Sequence, residues 1–306
     1  MGELRVQLID GTYELFRHHF GQPSRLAADG SEIAATRGVL TTVLMSLERG
    51  ATHIGVATDH VIESFRNALW PGYKTSAGVP DALLAQFPVL ELCLEAMGVT
   101  VWPMTDLEAD DALASAAAVA ADDPRVATVQ IMTPDKDLAQ CVRGNRVVQV
   151  DRRSGAVTDE DGVWEKFGVA PTSIPDWLAL VGDAADGFPG LSGWGKRSAA
   201  QVLARYGTID AIPAAVADWD PELRRQVRNS AGLAARLVDE HDLALLFREL
   251  ATLRVDRALL SDVSRLEWRG PTPAFADVAA LLRDARLAER AQVAASRRNG
   301  TAIGSV

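Results

Sequence analysis

Cysteine is nearly missing from this chain. Cys93 and Cys141 are the only two among 306 residues, and no Cys-x-x-Cys or His/Cys ligand spacing occurs. That excludes a disulfide framework and a zinc site of the usual kinds. No uninterrupted apolar run reaches the length that spans a bilayer, so no membrane partner is expected. The first residues, MGELRVQLIDGT, carry neither a basic leader nor an apolar signal segment, which sets a cytoplasmic location as the expectation. Positive charge is also short, at 31 Lys and Arg against 41 Asp and Glu for a formal net charge of −10. Charge alone therefore gives no hint of a nucleic-acid partner, which usually shows itself as a basic patch. There is no internal repeat and no long low-complexity stretch. What remains is a globular composition, 48% hydrophobic and 24% charged, enough for one large domain or two of middling size.

The first half alternates β-rich runs with helical patterns. Strands are predicted at 4–10, 53–59, 99–103, 126–133 and 146–151. Between them lie helices around ELFRHHF and over 33–50, 82–98 and 109–121. Such alternation predicts a parallel sheet covered on both faces. After about residue 160 the strands stop. WEKFG, IPDWLALVG, KRSAAQVLARYG, IDAIPAAVADW, ELRRQVRN and AGLAARLVDEHDLALLFREL all carry helical patterns broken by Gly and Pro. The last residues, 294–306, are small and polar and are expected to fray.

The acids are few per loop but well placed. Asp10 and Asp59 end the first two strands, Glu108, Asp110 and Asp111 follow the third, and Asp135 and Asp137 follow the fourth. The carboxyl ends of parallel strands share one edge, where ligands of open α/β sheets bind. Asp183 and Asp186, at the start of the helical part, could close the same crevice. So many carboxylates would repel one another unless a cation compensates. Hard divalent ions with oxygen ligands, Mg²⁺ or Mn²⁺, suit that demand, and a pair of them is the usual device for phosphodiester hydrolysis. The plainer reading is that each Asp caps a helix, since an Asp after a strand commonly does so. Capping alone does not account for acids at every loop, nor for three opening one helix.

The stretch 182–203 adds a second element. It predicts a helix, a tight turn over GLSGWG (190–195) and another helix starting near Lys196. Glycines let a backbone come close to a ligand, and a helix N-terminus with Lys196 and Arg197 favours an anion. Backbone phosphates of a duplex fit this description, held without reading sequence.

LIDGTYELFR, VATDHVIESFRNALWPGYK, LEADDALA, TPDKDLAQ and GDAADGFPGLSGWGKRSAAQVL stand in the order of the motifs of bacterial and phage 5′-nucleases. From residue 4 to the FRELATLRVD segment the chain resembles that family, the 5′→3′ exonuclease domain of DNA polymerase I and its stand-alone flap-endonuclease relatives. The resemblance implies a PIN-like α/β catalytic domain over 1–165. It also implies a helical domain with a helix-hairpin-helix (H3TH-type) DNA-binding module over 166–306. Implied with them is a two-metal 5′-nuclease acting on flapped, nicked or gapped duplex DNA with a 5′ single strand, in replication or repair. Asp10, Asp59, Glu108, Asp110, Asp111 and Asp135 correspond to ligands of a first ion or its waters, and Asp137, Asp183 and Asp186 to those of a second. Lys74 and Arg66 correspond to groups that steady the scissile phosphate. Tyr13, Phe16 and Arg17 stand where the family presents an unpaired nucleotide, although the spacing of Phe16 fits an apolar core face equally well. Gly190, Gly193, Gly195, Lys196 and Arg197 correspond to the duplex grip, where the family often carries a potassium ion.

The chain departs from the family twice. KTSAGVP after the GYK lysine lacks the basic cluster of the single-strand arch, and DAADG replaces the usual spacing and Asn around the last aspartate pair. The resemblance therefore does not extend to threading of a 5′ end. It leaves two other readings in view: a structure-selective DNA-binding protein with weak or lost cleavage, and an RNA-directed nuclease of the wider PIN class. The helix-hairpin-helix stretch disfavours the second. A monomer is the simplest oligomeric expectation.

Overall fold

The computed structural model describes residues 4–27, 29–298 and 300. Its strands are β1 (Leu4–Asp10), β2 (His53–Asp59), β3 (Thr100–Met104), β4 (Val126–Met132), β5 (Val147–Val150) and β6 (Val157–Thr158). The first helices are α1 (Gly11–Gly21), α2 (Ala34–Glu48), α3 (Phe65–Leu69), α4 (Asp81–Leu84), α5 (Gln86–Ala96) and α6 (Ala109–Asp122). They are followed by α7 (Glu160–Phe167), α8 (Ile174–Val181), α9 (Lys196–Tyr206), α10 (Pro221–Gln226) and α11 (Ser230–Asp239). The chain closes with α12 (His241–Ala251), α13 (Phe275–Leu281) and α14 (Ala285–Arg298). The described residues pack as two compact units, one from 1–62, 76–133 and 255–306, the other from 63–75 and 134–254.

The first unit holds four parallel strands in the order β3-β2-β1-β4, with Ile9 opposite Val56 on one side and Met132 on the other. All seven residues of β2 are buried, and its middle, residues 54–57, carries no polar side chain, as suits a strand covered on both faces. Helix α6, almost all alanine on its buried side, packs along β1, β2 and β4, because its small side chains let it approach closely. Helices α13 and α14 belong to this unit as well and pack against α5 and α2. Burying Leu8, Ile9, Val56, Leu113 and Ile131 completely gives the layer its stability, at about 25 cal/mol per Å² of apolar surface removed from water.

The second unit is helical apart from the antiparallel β5–β6 hairpin. Helix α8 packs on α9 and α12 around Trp177, Leu180, Val202 and Phe247. Phe188 stacks on Phe247 with centroids 5.6 Å apart, and Trp70 meets Phe247 edge-on at 5.2 Å.

Several local expectations are corrected. The strand expected over 146–151 forms as β5, but it pairs antiparallel with an unexpected strand, β6, which at two residues is too short to show a period. The helix expected over 82–98 breaks at Ala85 into α4 and α5; Pro88, three residues into α5, cannot donate to a helix continuing from α4. IDAIPAAVADW forms two short 3₁₀ turns, Ile209–Ala211 and Val216–Asp218, on either side of Pro213. The long helix expected over 231–250 is α11 and α12, separated at Glu240. At the C-terminus α14 continues through Arg298 with Ala294 and Ala295 buried. The fraying expected for 299 and 301–306 lies outside the described residues.

His53, at the start of β2, is 6% exposed, with its Nδ1 3.0 Å from Thr52 Oγ1. Burial lowers its pKa; the Glu267 carboxylate opposes that, and Arg298 and Arg125 reinforce it. Between this lowered value and about 6.5 the unfolded chain binds more protons than the folded one, so stability is full above that range and falls with acidification. Urea unfolding from pH 7.5 to 5 should therefore show a smaller pH dependence for His53→Gln than for the parent. Parallel curves would contradict this.

Candidate metal centre and nucleic-acid interface

In the first unit the strand-end acids are held by the backbone. Asp10 Oδ1 accepts from the Tyr13 amide at 2.8 Å and caps α1, while Oδ2 accepts from Thr133 Oγ1 at 3.1 Å. Asp59 Oδ1 accepts from the Ala109 amide at 2.7 Å, and Asp111 Oδ2 from the Glu108 amide at 2.9 Å. The capping reading is correct for Asp10, which caps the helix after its strand; Asp59 bonds the first amide of α6 from a neighbouring strand, and Asp111 bonds back to the Glu108 amide from within the first turn of α6. Asp10, Asp59, Glu108 and Asp111 are all at most 7% exposed, and Asp110 is half-buried.

The second unit gathers its acids more tightly. Asp137 opens a 3₁₀ turn (Asp137–Cys141), and Asp183 and Asp186 follow α8. Their carboxylates offer oxygens all within 4.8 Å of one another, and the three residues are 4–7% exposed. Among the described residues no other group of three carboxylate, histidine or cysteine side chains lies so close. The Asp183 and Phe188 backbones bond reciprocally, at 2.8 and 3.0 Å, so the packing of Phe188 on Phe247 fixes this loop. Asp135 is exposed; its Oδ1 accepts from the Asp137 amide at 3.0 Å and its carbonyl from Gln149 Nε2 at 2.6 Å.

Two ammonium groups meet these acids. Lys74 Nζ lies 3.0 Å from Asp186 Oδ1, and the Lys74 amide donates to the Asp186 carbonyl at 2.9 Å. Lys136 Nζ bonds Asp183 Oδ2 and stands 4.0 Å from Asp137 Oδ1. Even so, burial and then the Asp135, Asp186 and Asp183 charges hold the Asp137 pKa well above the usual carboxylate range, against Lys136. Burial works against the charge of Lys136 too, but Asp137, Asp183 and Asp135 outweigh it and raise its pKa. Asp137 Oδ1 is buried with no hydrogen-bond partner among the described residues. An unsatisfied oxygen inside a cluster of hard donors fits a divalent cation, and Asp137, Asp183 and Asp186 are the residues that would hold it.

The glycine turn divides by geometry. Gly190 is buried with φ +69°, and a Cβ there would lie 2.3 Å from the Gly182 amide nitrogen and 2.6 Å from the Leu180 carbonyl oxygen. Its bare side serves backbone packing. Gly193 and Gly195 are exposed; a Cβ would meet only Leu233, at 3.7 Å, at the first, and nothing within 4 Å at the second. Gly195 caps α9 without a side chain, beside exposed Lys196 and Arg197.

Arg66 is turned away from solvent. It is 1% exposed, and its Nε and Nη2 donate to the Leu250 and Thr252 carbonyls at 2.8 and 3.1 Å. These bonds tie α3 to the end of α12. On α1, Arg17 pairs with Glu14 at 2.5 Å, Phe16 packs edge-on against Phe87, and Tyr13 is half-buried. Lys136 is the residue that sequence reasoning passed over, although its place between Asp135 and Asp137 marks it.

With this geometry in hand, the chain matches two family models: the 5′-3′ exonuclease N-terminal resolvase-like domain over residues 5–168 and the 5′-3′ exonuclease C-terminal SAM fold over 169–274. This chain belongs to the 5′-3′ exonuclease family. It is 34% identical to Pseudomonas aeruginosa DNA polymerase I over 271 residues, 87% of this chain and 29% of that one. It is 30% identical to the Aquifex aeolicus 5′-3′ exonuclease over 256 residues, 82% of this chain and 88% of that protein. The chain thus spans under a third of the polymerase. Among solved structures it is similar to T5 5′-exonuclease with bound zinc (TM-score 0.61, 16% identity, 95% and 98% of the two chains covered). It is also similar to the catalytic core of Rad2 with DNA substrate (TM-score 0.61, 14% identity, 95% and 92% covered). Both are likenesses of fold: a resolvase-like α/β sheet with a SAM-like helical part.

In this exonuclease fold the two kinds of glycine separate by experiment. Gly190→Ala should cost stability by about 3 kcal/mol or more, through backbone collision and positive φ. Gly195→Ala, where a Cβ meets nothing within 4 Å, should cost much less, about 1 kcal/mol or under, from replacing a glycine N-cap. Equal unfolding midpoints for the two variants would contradict the division.

Proposed function

We propose that this nuclease is a divalent-metal-dependent 5′-nuclease, a flap endonuclease and 5′→3′ exonuclease that hydrolyses phosphodiester bonds in flapped, nicked or gapped DNA during replication or repair. The observation that carries the proposal is the buried Asp137–Asp183–Asp186 cluster, with one buried oxygen that accepts no hydrogen bond among the described residues, in a chain of this family. Asp137, Asp183 and Asp186 hold one cation. Asp10, Asp59, Glu108, Asp110, Asp111 and Asp135 hold another or its waters, with Mg²⁺ or Mn²⁺ as the ions. Bound there, such ions supply a nucleophilic water at neutral pH and offset charge on the scissile phosphate.

The chain's own residues do the rest. Lys74 places a compact positive charge where a phosphate can exchange for Asp186. The Asn67 amide donates to the Lys74 carbonyl at 2.9 Å and fixes its loop, and Arg66 supports that segment from below. Tyr13 and Arg17 offer a ring and a cation to an unpaired nucleotide. Gly193, Gly195, Lys196 and Arg197 grip a duplex phosphate with Gly190 holding the turn, and a potassium ion at that turn belongs to the same reading. The functional division follows 1–165 for the catalytic domain and 166–306 for the helical domain, with Asp183 and Asp186 lending their carboxylates to catalysis and α13 and α14 packed on the sheet unit. A monomer in the cytoplasm is part of the proposal; no described helix is long and apolar enough to cross a membrane.

Flap DNA labelled at its 5′ or 3′ end should be cut near the junction with Mg²⁺ or Mn²⁺ and left intact with EDTA. Asp183→Asn should lose more activity than the about 10–100-fold that an outer-shell partner typically costs, with DNA binding retained. Binding without cutting in either metal would overturn the proposal. Because few basic groups form the grip, log affinity should fall shallowly with log salt, at roughly −0.9 per neutralised phosphate. A slope that implies many contacts would count against it.

A further inference from the structure

Three buried carboxylates with oxygens within 4.8 Å cannot all stay charged without a counter-charge, and in this chain two lysines provide one. Their positions differ. Lys74 sits on Asp186, tied to it by both side chain and main chain. Lys136 reaches Asp183, 47 residues further on, while standing directly before Asp137 in sequence. We propose that Lys136 is a built-in counter-cation of the second metal site. It holds Asp183 and Asp137 in place while no metal is bound and gives way to the divalent ion, so it sets how tightly that ion binds. The inference rests on the metal reading above and adds a competitor to it.

The geometry favours displacement over permanent pairing. Lys136 Nζ is within bonding range of Asp183 only; at 4.0 Å from Asp137 Oδ1 it contributes charge without a hydrogen bond, and that oxygen stays unsatisfied. A single ammonium therefore neutralises the cluster incompletely, whereas a divalent ion offers twice the charge and accepts oxygens from all three carboxylates. The side chain of Lys136 is 33% exposed, so its four-carbon stem has a path out to water. Its backbone is anchored by the 3₁₀ turn that it caps, so the ammonium can leave while Asp137 stays in position. Arginine at this place would be a poorer leaving cation, because its fork bonds a carboxylate with two N–H groups at once.

The test is Mn²⁺ binding to the full chain, read as free Mn²⁺ by electron paramagnetic resonance, for the parent and for Lys136→Met, Lys136→Arg and Asp183→Asn. Methionine keeps the length and removes the charge. Lys136→Met should bind Mn²⁺ about tenfold more tightly at this site, since no ammonium has to be displaced from a half-buried pair. Its metal-free form should also melt at lower temperature than the parent. Lys136→Arg should bind no more tightly than the parent and serves as the check should Lys136→Met fold poorly. Unchanged or weaker Mn²⁺ binding by Lys136→Met, or tighter binding by Lys136→Arg, would overturn the counter-cation role. Asp183→Asn separates the two levels. If it removes a Mn²⁺ site while Lys136→Met changes nothing, the metal reading stands and this inference fails. If it leaves Mn²⁺ binding untouched, the metal reading itself fails.

Discussion

Like charge buried in a small volume is the constraint from which the rest follows. Asp137, Asp183 and Asp186 are taken out of water by the helical core, where an isolated carboxylate would give up its charge. The fold brings them together by strong local means: a 3₁₀ turn at Asp137, and a loop after α8 locked by the reciprocal Asp183–Phe188 bonds and by Phe188 stacked on Phe247. Packing energy thus holds in place an arrangement that electrostatics alone would disperse. Such stored repulsion is a common mark of a functional site, because a cation relieves it.

The lysines around that cluster divide the work of compensation. Lys74 is bonded into the acidic loop through its own backbone, so it remains beside Asp186 whatever its ammonium contacts. The Lys136 main chain bonds only within its own turn, to the Ala139 amide, so nothing but its ammonium ties it to Asp183. The same residue type is therefore rigid in one place and displaceable in the other, and the difference is made by main-chain hydrogen bonds. Arg66 shows a third outcome: fully buried, it uses its guanidinium on carbonyls at the end of α12 and lends rigidity to the segment that carries Lys74.

Much of this was legible in the sequence, and the limits have physical causes. The parallel sheet was readable because β1, β2, β3 and β4 are apolar runs separated by helical patterns, and the acids at their ends were readable because strand ends mark an edge. The double role of Asp10, Asp59 and Asp111, as backbone acceptors and as candidate ligands, could not be assigned from type and spacing alone. Gly190 and Gly195 look alike as letters; only the approach of Gly182 and Leu180 gives the first a packing role. The burial of Arg66 depends on carbonyls 184 and 186 residues away, beyond the reach of any local pattern. Strand β6, with two residues, has no period to detect.

The most direct measurement is anomalous diffraction from crystals of this chain soaked in Mn²⁺. On this account a peak is expected among the carboxylate oxygens of Asp137, Asp183 and Asp186. A map with no peak there, and with Lys136 and Lys74 still paired to Asp183 and Asp186, would contradict it.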